Sequence, residues 1–150
     1  MAYTSGSDRI AFEQQPAGAA GPPGPPGPAG NAYESVVMDT AFAEGQAIRR
    51  KANNHGEVAT GNDAASCTGV IGVAGNAGMS GGTAQVYKSG SAGVAIAGLP
   101  SGDLYRDAAG DLVTYATLSA GALVTDQTNY MGFSTGTLLD VSVGVGQGVL

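Results

Sequence analysis

Few side chains in this sequence have the chemistry for catalysis or ligand capture, and their spacing matches no strong motif. His55 is the sole imidazole, within KANNHGEVATGND. A histidine base needs a proton donor or nucleophile in reach and a partner that orients its ring. Glu57 is close in sequence but shares a strand face with His55 only by alternation. Asn-Asn-His-Gly reads first as a turn. Cys67, in SCTGVIG, precedes an apolar run and reads as a small buried thiol. No neighbouring cation or helix start in the sequence points to an activated sulfur. A single cysteine excludes an intrachain disulfide and a cysteine-based zinc site. Asp103, Asp107 and Asp111 recur every four residues in SGDLYRDAAGD. Carboxylates clustered with glycine can hold calcium, but the spacing is not that of an EF-hand loop and no Glu closes it. Arg106 is expected to pair with one of them, leaving solvated turn acids. GVAGNAG (72–78) lacks both the G-x-G-x-x-G spacing and the helix of a phosphate loop.

The run Arg49-Arg50-Lys51 holds three of the six cations. It is a candidate contact for an acidic partner surface; the plainer reading is an exposed strand with charged edges. None of these residues requires a cofactor or a metal, and the chain is expected not to be an enzyme. With 12 acidic against 6 basic residues and a pI near 4.4, phosphate neutralisation cannot drive nucleic-acid binding. No apolar run approaches the ~20 residues that span a bilayer, so no membrane partner is expected. MAYTSGSDRI lacks the basic and apolar regions of a secretory signal.

The elements that must position these groups are short. The 150 residues include 26 Gly and 25 Ala, about a third of the chain, which fits β-structure with tight turns. Residues 1–15 form a polar leader in which Ile10 and Phe12, two apart, could add as a strand to a partner. In 16–33, Gly18, Gly21, Gly24, Gly27 and Gly30 fall on every third position, with Pro22, Pro23, Pro25 and Pro26 between them. Gly-X-Y with Pro is the collagen pattern, in which three polyproline-II chains wind together and only Gly fits the axis. Five triplets span roughly 45 Å. The other reading is a stiff single-chain spacer.

From 34 to 150, candidate strands lie at 34–39, 46–52, 69–74, 83–88, 92–98, 111–118, 121–125, 130–134 and 138–145. LDVSVGV alternates with period 2, as a half-buried strand does. MSGG (79–82), KSGSAG (88–93) and AAGD (108–111) read as hairpin connections. Many short strands between turn signals predict an all-β fold, a compact β-sandwich or β-barrel behind an extended polyproline-II or collagen-like arm. Ile71-Gly72-Val73-Ala74 faintly echoes Met131-Gly132-Phe133-Ser134, each ahead of an alternating strand.

Over roughly 44–145 the chain resembles the small capsid decoration, or cement, proteins of tailed bacteriophages. The matching positions are Gly93, Val94 and Ala95; then Gly102, Asp103, Tyr105, Asp107 and Gly110; then Gly132, Gly136, Leu138, Asp140 and Val141. Collagen-like segments also occur in phage head-fibre and tail-fibre proteins. The resemblance implies a non-enzymatic virion protein on the outer capsid surface, made in the host cytoplasm. It implies a homotrimer bound to the major capsid protein. Ile10, Phe12, Arg49, Arg50 and Lys51 are the capsid-contact candidates and the Gly-X-Y positions the assembling arm. The N-terminal extension departs from compact cement proteins. The alternative expectation is a fibre or adhesion module that binds a host glycan or protein.

Overall fold

The computed structural model describes residues 33–150. Ile10, Phe12 and the Gly-X-Y positions Gly18 to Gly30, with Pro22, Pro23, Pro25 and Pro26, lie outside the described residues. The first half of the described chain carries β1 (Glu34–Val37), β2 (Ala47–Arg50), β3 (Gly56–Val58), β4 (Val70–Ala74) and β5 (Thr83–Lys88), with a 3-10 turn at Ala65–Cys67. The second half carries β6 (Val94–Ala95), β7 (Gly102–Arg106), β8 (Leu112–Thr114), α1 (Tyr115–Ser119), β9 (Gln127–Thr128), β10 (Tyr130–Ser134), β11 (Leu138–Val141) and β12 (Gln147–Gly148). Two five-stranded antiparallel sheets result, with orders β1-β5-β4-β2-β3 and β6-β11-β10-β7-β8, and β9 pairs with β12. Over the described residues the fold is all-β with one short helix.

The two sheets are built alike. Within each, the first strand pairs with the fifth, the fifth with the fourth, the fourth with the second and the second with the third. The registers correspond residue by residue. Ile48 lies opposite Gly72 and Val58, as Leu104 lies opposite Gly132 and Thr114. Arg49 lies opposite Val70, as Tyr105 lies opposite Tyr130. Both central strands carry one extra residue at the same place, Ile71 and Met131. The resemblance between 71–74 and 131–134 is therefore a structural equivalence inside two repeats of one five-stranded unit.

The repeats pack differently. The first sheet curls until its edges touch: Met38 bridges Gly56 in parallel, and Asp39 N–H donates to the Gly56 carbonyl at 2.9 Å. Its interior holds Val36, Met38, Phe42, Ile48, Val58, Ala74, Ala84 and Val86. Its other face presents Ala47 and Val73 to the second sheet, where they join Val94, Ile96, Leu104, Leu112, Met131, Leu139 and Val141 in one core. Alternate residues of β2 and β4 thus enter different cores, so VIGVA is small and apolar throughout. The second sheet is buried on one face only, and LLDV alternates exposed and buried.

Several expected strands change character. DLVTYATL is extended only to Thr114, whose Oγ1 then accepts the Thr117 N–H and starts α1. GALVT makes no strand; Asp126 Oδ2 accepts the Leu123 N–H at 2.8 Å, and Leu123 and Val124 stay exposed. With 43% hydrophobic residues in the chain, an apolar run alone does not mark a strand. AGVAIAG is paired only at Val94–Ala95. KSGSAG is not a hairpin: β5 and β6 belong to different sheets, and the segment links the repeats.

The central strands run unusually close to their neighbours. A Cβ on Gly72 would lie 2.1 Å from the Tyr87 carbonyl oxygen, and one on Gly132, at φ +138°, would lie 2.0 Å from that of Asp140. Gly90 also has positive φ, +97°, but open space around its Cβ direction. Gly72→Ala and Gly132→Ala should each cost at least about 3 kcal/mol, because the backbone ladder must part. Gly90→Ala should cost only the left-handed backbone term, ~1–2 kcal/mol. Thermal denaturation of the three variants checks this ranking; equal losses would refute it.

Candidate functional site

Arg49, Arg50 and Lys51 lie on and just after β2, where the strand leaves the first sheet. Each meets a carboxylate of its own chain. Arg49 Nη2 is 2.6 Å from Glu57 Oε2, its cross-strand partner on β3. Arg50 pairs with Glu34 on β1, which Lys88 approaches to 3.3 Å. Lys51 Nζ is 2.8 Å from Asp39 Oδ2. The strand run is thus charge-balanced within the fold rather than a bare basic patch.

Asp39 gathers the remaining polar groups of this rim. His55 Nδ1 lies 2.8 Å from its Oδ1, and Asn53 Nδ2 donates to Oδ2 at 3.3 Å. The orienting acid of His55 is therefore Asp39, sixteen residues upstream, and not Glu57. Asn54 takes the left-handed conformation, φ 72°, that the turn reading of Asn-Asn-His-Gly implies. Lys51 first, then His55 and Asn53, hold the Asp39 carboxyl far below the ordinary 3.8. Arg50 similarly lowers Glu34.

A second polar centre is buried. Arg106 ends β7 on the same face as Leu104 and is 1% exposed. The expected pairing with Asp103, Asp107 or Asp111 side chains does not occur. Arg106 Nη1 instead donates to the carbonyls of Ala59 (3.0 Å), Gly61 (2.7 Å) and Asp107 (3.3 Å), and Nε donates to Asn129 Oδ1 (3.1 Å). Nη2 lies 3.3 Å from Cys67 Sγ, so the buried cysteine does have a cation beside it. Asn129 Nδ2 extends the network to the carbonyls of Cys67 and Gly144. Arg50 is the equivalent residue of the first repeat and has Glu34 for a partner. Val94 occupies the position equivalent to Glu34, so Arg106 must take neutral acceptors. The period-2 step from Leu104 to Arg106 is the sequence signal that marks it as inward-facing.

The three spaced aspartates do not converge. Asp103 Oδ1 accepts the Tyr130 hydroxyl at 2.8 Å. Asp107 Oδ1 accepts the amides of Ala109 and Asp111 at 2.9 Å and closes a turn. Asp111 Oδ1 takes Gln46 Nε2 at 3.1 Å. Among the described residues no group of three His, Cys, Asp or Glu side chains could hold a metal ion. A cleft of about 370 Å³ between Asn62, Asp107, Thr117 and Asp126 also engages its acids in turns, with Asp126 accepting from Asn62 and Leu123.

The outer face of the second sheet is different, because its groups point to solvent. Phe133 on β10 is 48% exposed and stands opposite Asp103 on β7 and Asp140 on β11. Leu138 is exposed on the same face of β11. Beside them Tyr105 packs edge-on against both Tyr115 and Tyr130, with ring centroids 5.7 and 5.4 Å apart. Burial, with Asp103 accepting its hydrogen bond, pushes the Tyr130 hydroxyl up to about 12, so it stays a donor. The equivalents of Asp103, Phe133 and Asp140 in the first repeat are Ala47, Val73 and Tyr87, and those three pack into the shared core. YMGFS reads as an apolar strand, and nothing in its pattern separates the buried Met131 from the exposed Phe133, because the bulge shifts the alternation.

Two measurements test these centres. Arg106→Met leaves the Ala59 and Gly61 carbonyls and Asn129 Oδ1 without their donors and should cost at least about 3 kcal/mol in urea denaturation. Arg106→Lys, which keeps the charge but not the fork, should fall between. Asp39 binds its proton less tightly folded than unfolded. Its contribution is therefore present above an unpaired aspartate's 3.8 and is lost as pH falls below that value. The melting temperature should drop from pH 5 to 3, and Asp39→Asn should flatten that drop; an unchanged slope would show the pairing to be inert. Comparison with family models, with curated proteins and with solved structures returns no match for this chain.

Proposed function

We propose that this chain is a structural protein of a tailed-bacteriophage virion that decorates and stabilises the capsid as a trimer. The observation that carries the reading is the open outer face of the second sheet. The first repeat covers its equivalent face inside the fold, and the second leaves Phe133 and Leu138 in water. An exposed apolar and aromatic sheet face on a small domain favours a binding role. The titratable groups support the same view: Arg49, Arg50, Lys51, His55 and Lys88 are paired with carboxylates of the fold, and Asp107 and Asp126 are taken up in turns. A triple helix of Gly-X-Y segments takes three chains, which fits a three-fold site on a shell. A protein bound across the joint between capsomers raises the free energy needed to part them.

An adhesion module is the second reading, and Tyr105, Tyr115 and Tyr130 are its best support. Sugar stacking needs an open ring face, however, and these rings are set edge-to-face against one another at 65° and 73°. The decoration reading is therefore preferred. Shells of the phage that encodes this chain, heated with and without the purified protein, test it. The expected result is a higher disruption temperature with protein bound; no change would remove the cementing role.

A further inference from the structure

We propose that the outer face of the second sheet docks arginine or lysine side chains of a partner protein, with Phe133 as the platform and Asp103 and Asp140 as the flanking carboxylates. The partner's identity as a capsid protein rests on the decoration reading; the chemistry of the face does not.

The geometry follows from register. Phe133 lies directly opposite Asp140 on one side and Asp103 on the other. Residues so paired across an antiparallel ladder point to the same face with Cβ atoms about 5 Å apart. One exposed aromatic ring thus sits between two carboxylates in a single row. Each carboxylate gives one oxygen to the fold: Asp103 Oδ1 to the Tyr130 hydroxyl and Asp140 Oδ1 to the Gly93 amide, both at 2.8 Å. Those bonds hold the side chains in place and leave their Oδ2 atoms for a ligand. A ring face attracts a cation through its quadrupole, and flanking acids on either side add charge attraction.

Charge complementarity selects the occupant. Among the described residues the cations are engaged internally: Arg49 with Glu57, Arg50 and Lys88 with Glu34, Lys51 with Asp39, and Arg106 in its buried network. From 94 to 150 the chain has Asp103, Asp107, Asp111, Asp126 and Asp140 against Arg106 alone. A second copy of the folded domain therefore brings no unengaged cation to this face. In the first repeat the equivalent row is Ala47, Val73 and Tyr87, which suits apolar packing on the neighbouring sheet. Replacing two of these three positions by aspartate turns a surface for internal packing into one for a basic partner.

The test uses the full chain and a short arginine–glycine peptide as probe, followed by amide shifts at low salt. Shifts should cluster on β7, β10 and β11. Asp103→Asn with Asp140→Asn should weaken binding about tenfold, and Phe133→Leu about threefold. The asparagine Oδ1 atoms keep the bonds to Tyr130 and Gly93, so the fold is retained. Glu44→Gln, at an exposed acid elsewhere, should change affinity less than about twofold. Shifts elsewhere, or equal losses in the Glu44 variant, overturn the proposal. So does a change of oligomeric mass in the double variant, which would make the face a contact between copies. Binding to shells separates the two readings. Shell binding that the double variant leaves intact overturns this inference and keeps decoration. A chain that ignores shells yet shows the peptide effects keeps the cation face and removes decoration.

Discussion

The close approach of backbones at Gly72 and Gly132 is the constraint on which the rest of this fold depends. Each glycine sits in the central strand of its sheet, one residue after a bulge, with a neighbouring carbonyl where a side chain would begin. A bulge increases local twist and re-aims the residues around it. In the first sheet the curvature brings the outer strands together at Met38 and Gly56. In the second the same device places Met131 inward and Phe133 outward. Two sheets of one design thus become a rolled layer and an open one, and the open one keeps a face for contact.

The difference between the repeats lies in what each does with equivalent positions. Ala47 and Val73 face a neighbouring sheet; Asp103 and Phe133 face water. Arg50 reaches a carboxylate near the surface, whereas Arg106 is enclosed among carbonyls, Asn129 and Cys67. The buried guanidinium links the ends of β7 and β10 to the 59–67 segment of the first repeat. It joins the two units by directional bonds where the core joins them by contact.

Much of the fold was legible because the strands alternate or carry β-branched runs between glycine turns. TAQVYK and YMGFS lie in strands at the places their patterns indicate, whereas LLDVSVGV is a strand only to Val141. Gly56–Val58 cannot be told from a turn in the sequence, because three residues carry too little period. GALVT misled because its apolar residues serve no core. At the sites, local reading failed where partners are distant in sequence. His55 meets Asp39 and Arg106 meets Ala59 and Cys67, contacts set by sheet order and not by spacing. The likeness of 71–74 to 131–134 was visible, but only the common registers make it a repeat.

The sheet order also governs how the chain can assemble in time. In each repeat the first strand pairs with the last, so Glu34 must wait for Val86 and Val94 for Leu139. Such pairings close long loops before they gain contacts and slow folding. On a ribosome the first unit is complete once Lys88 has emerged, while the strands that cover Ala47 and Val73 are still unmade. Synthesis from the N-terminus thereby presents two units of identical topology one after the other.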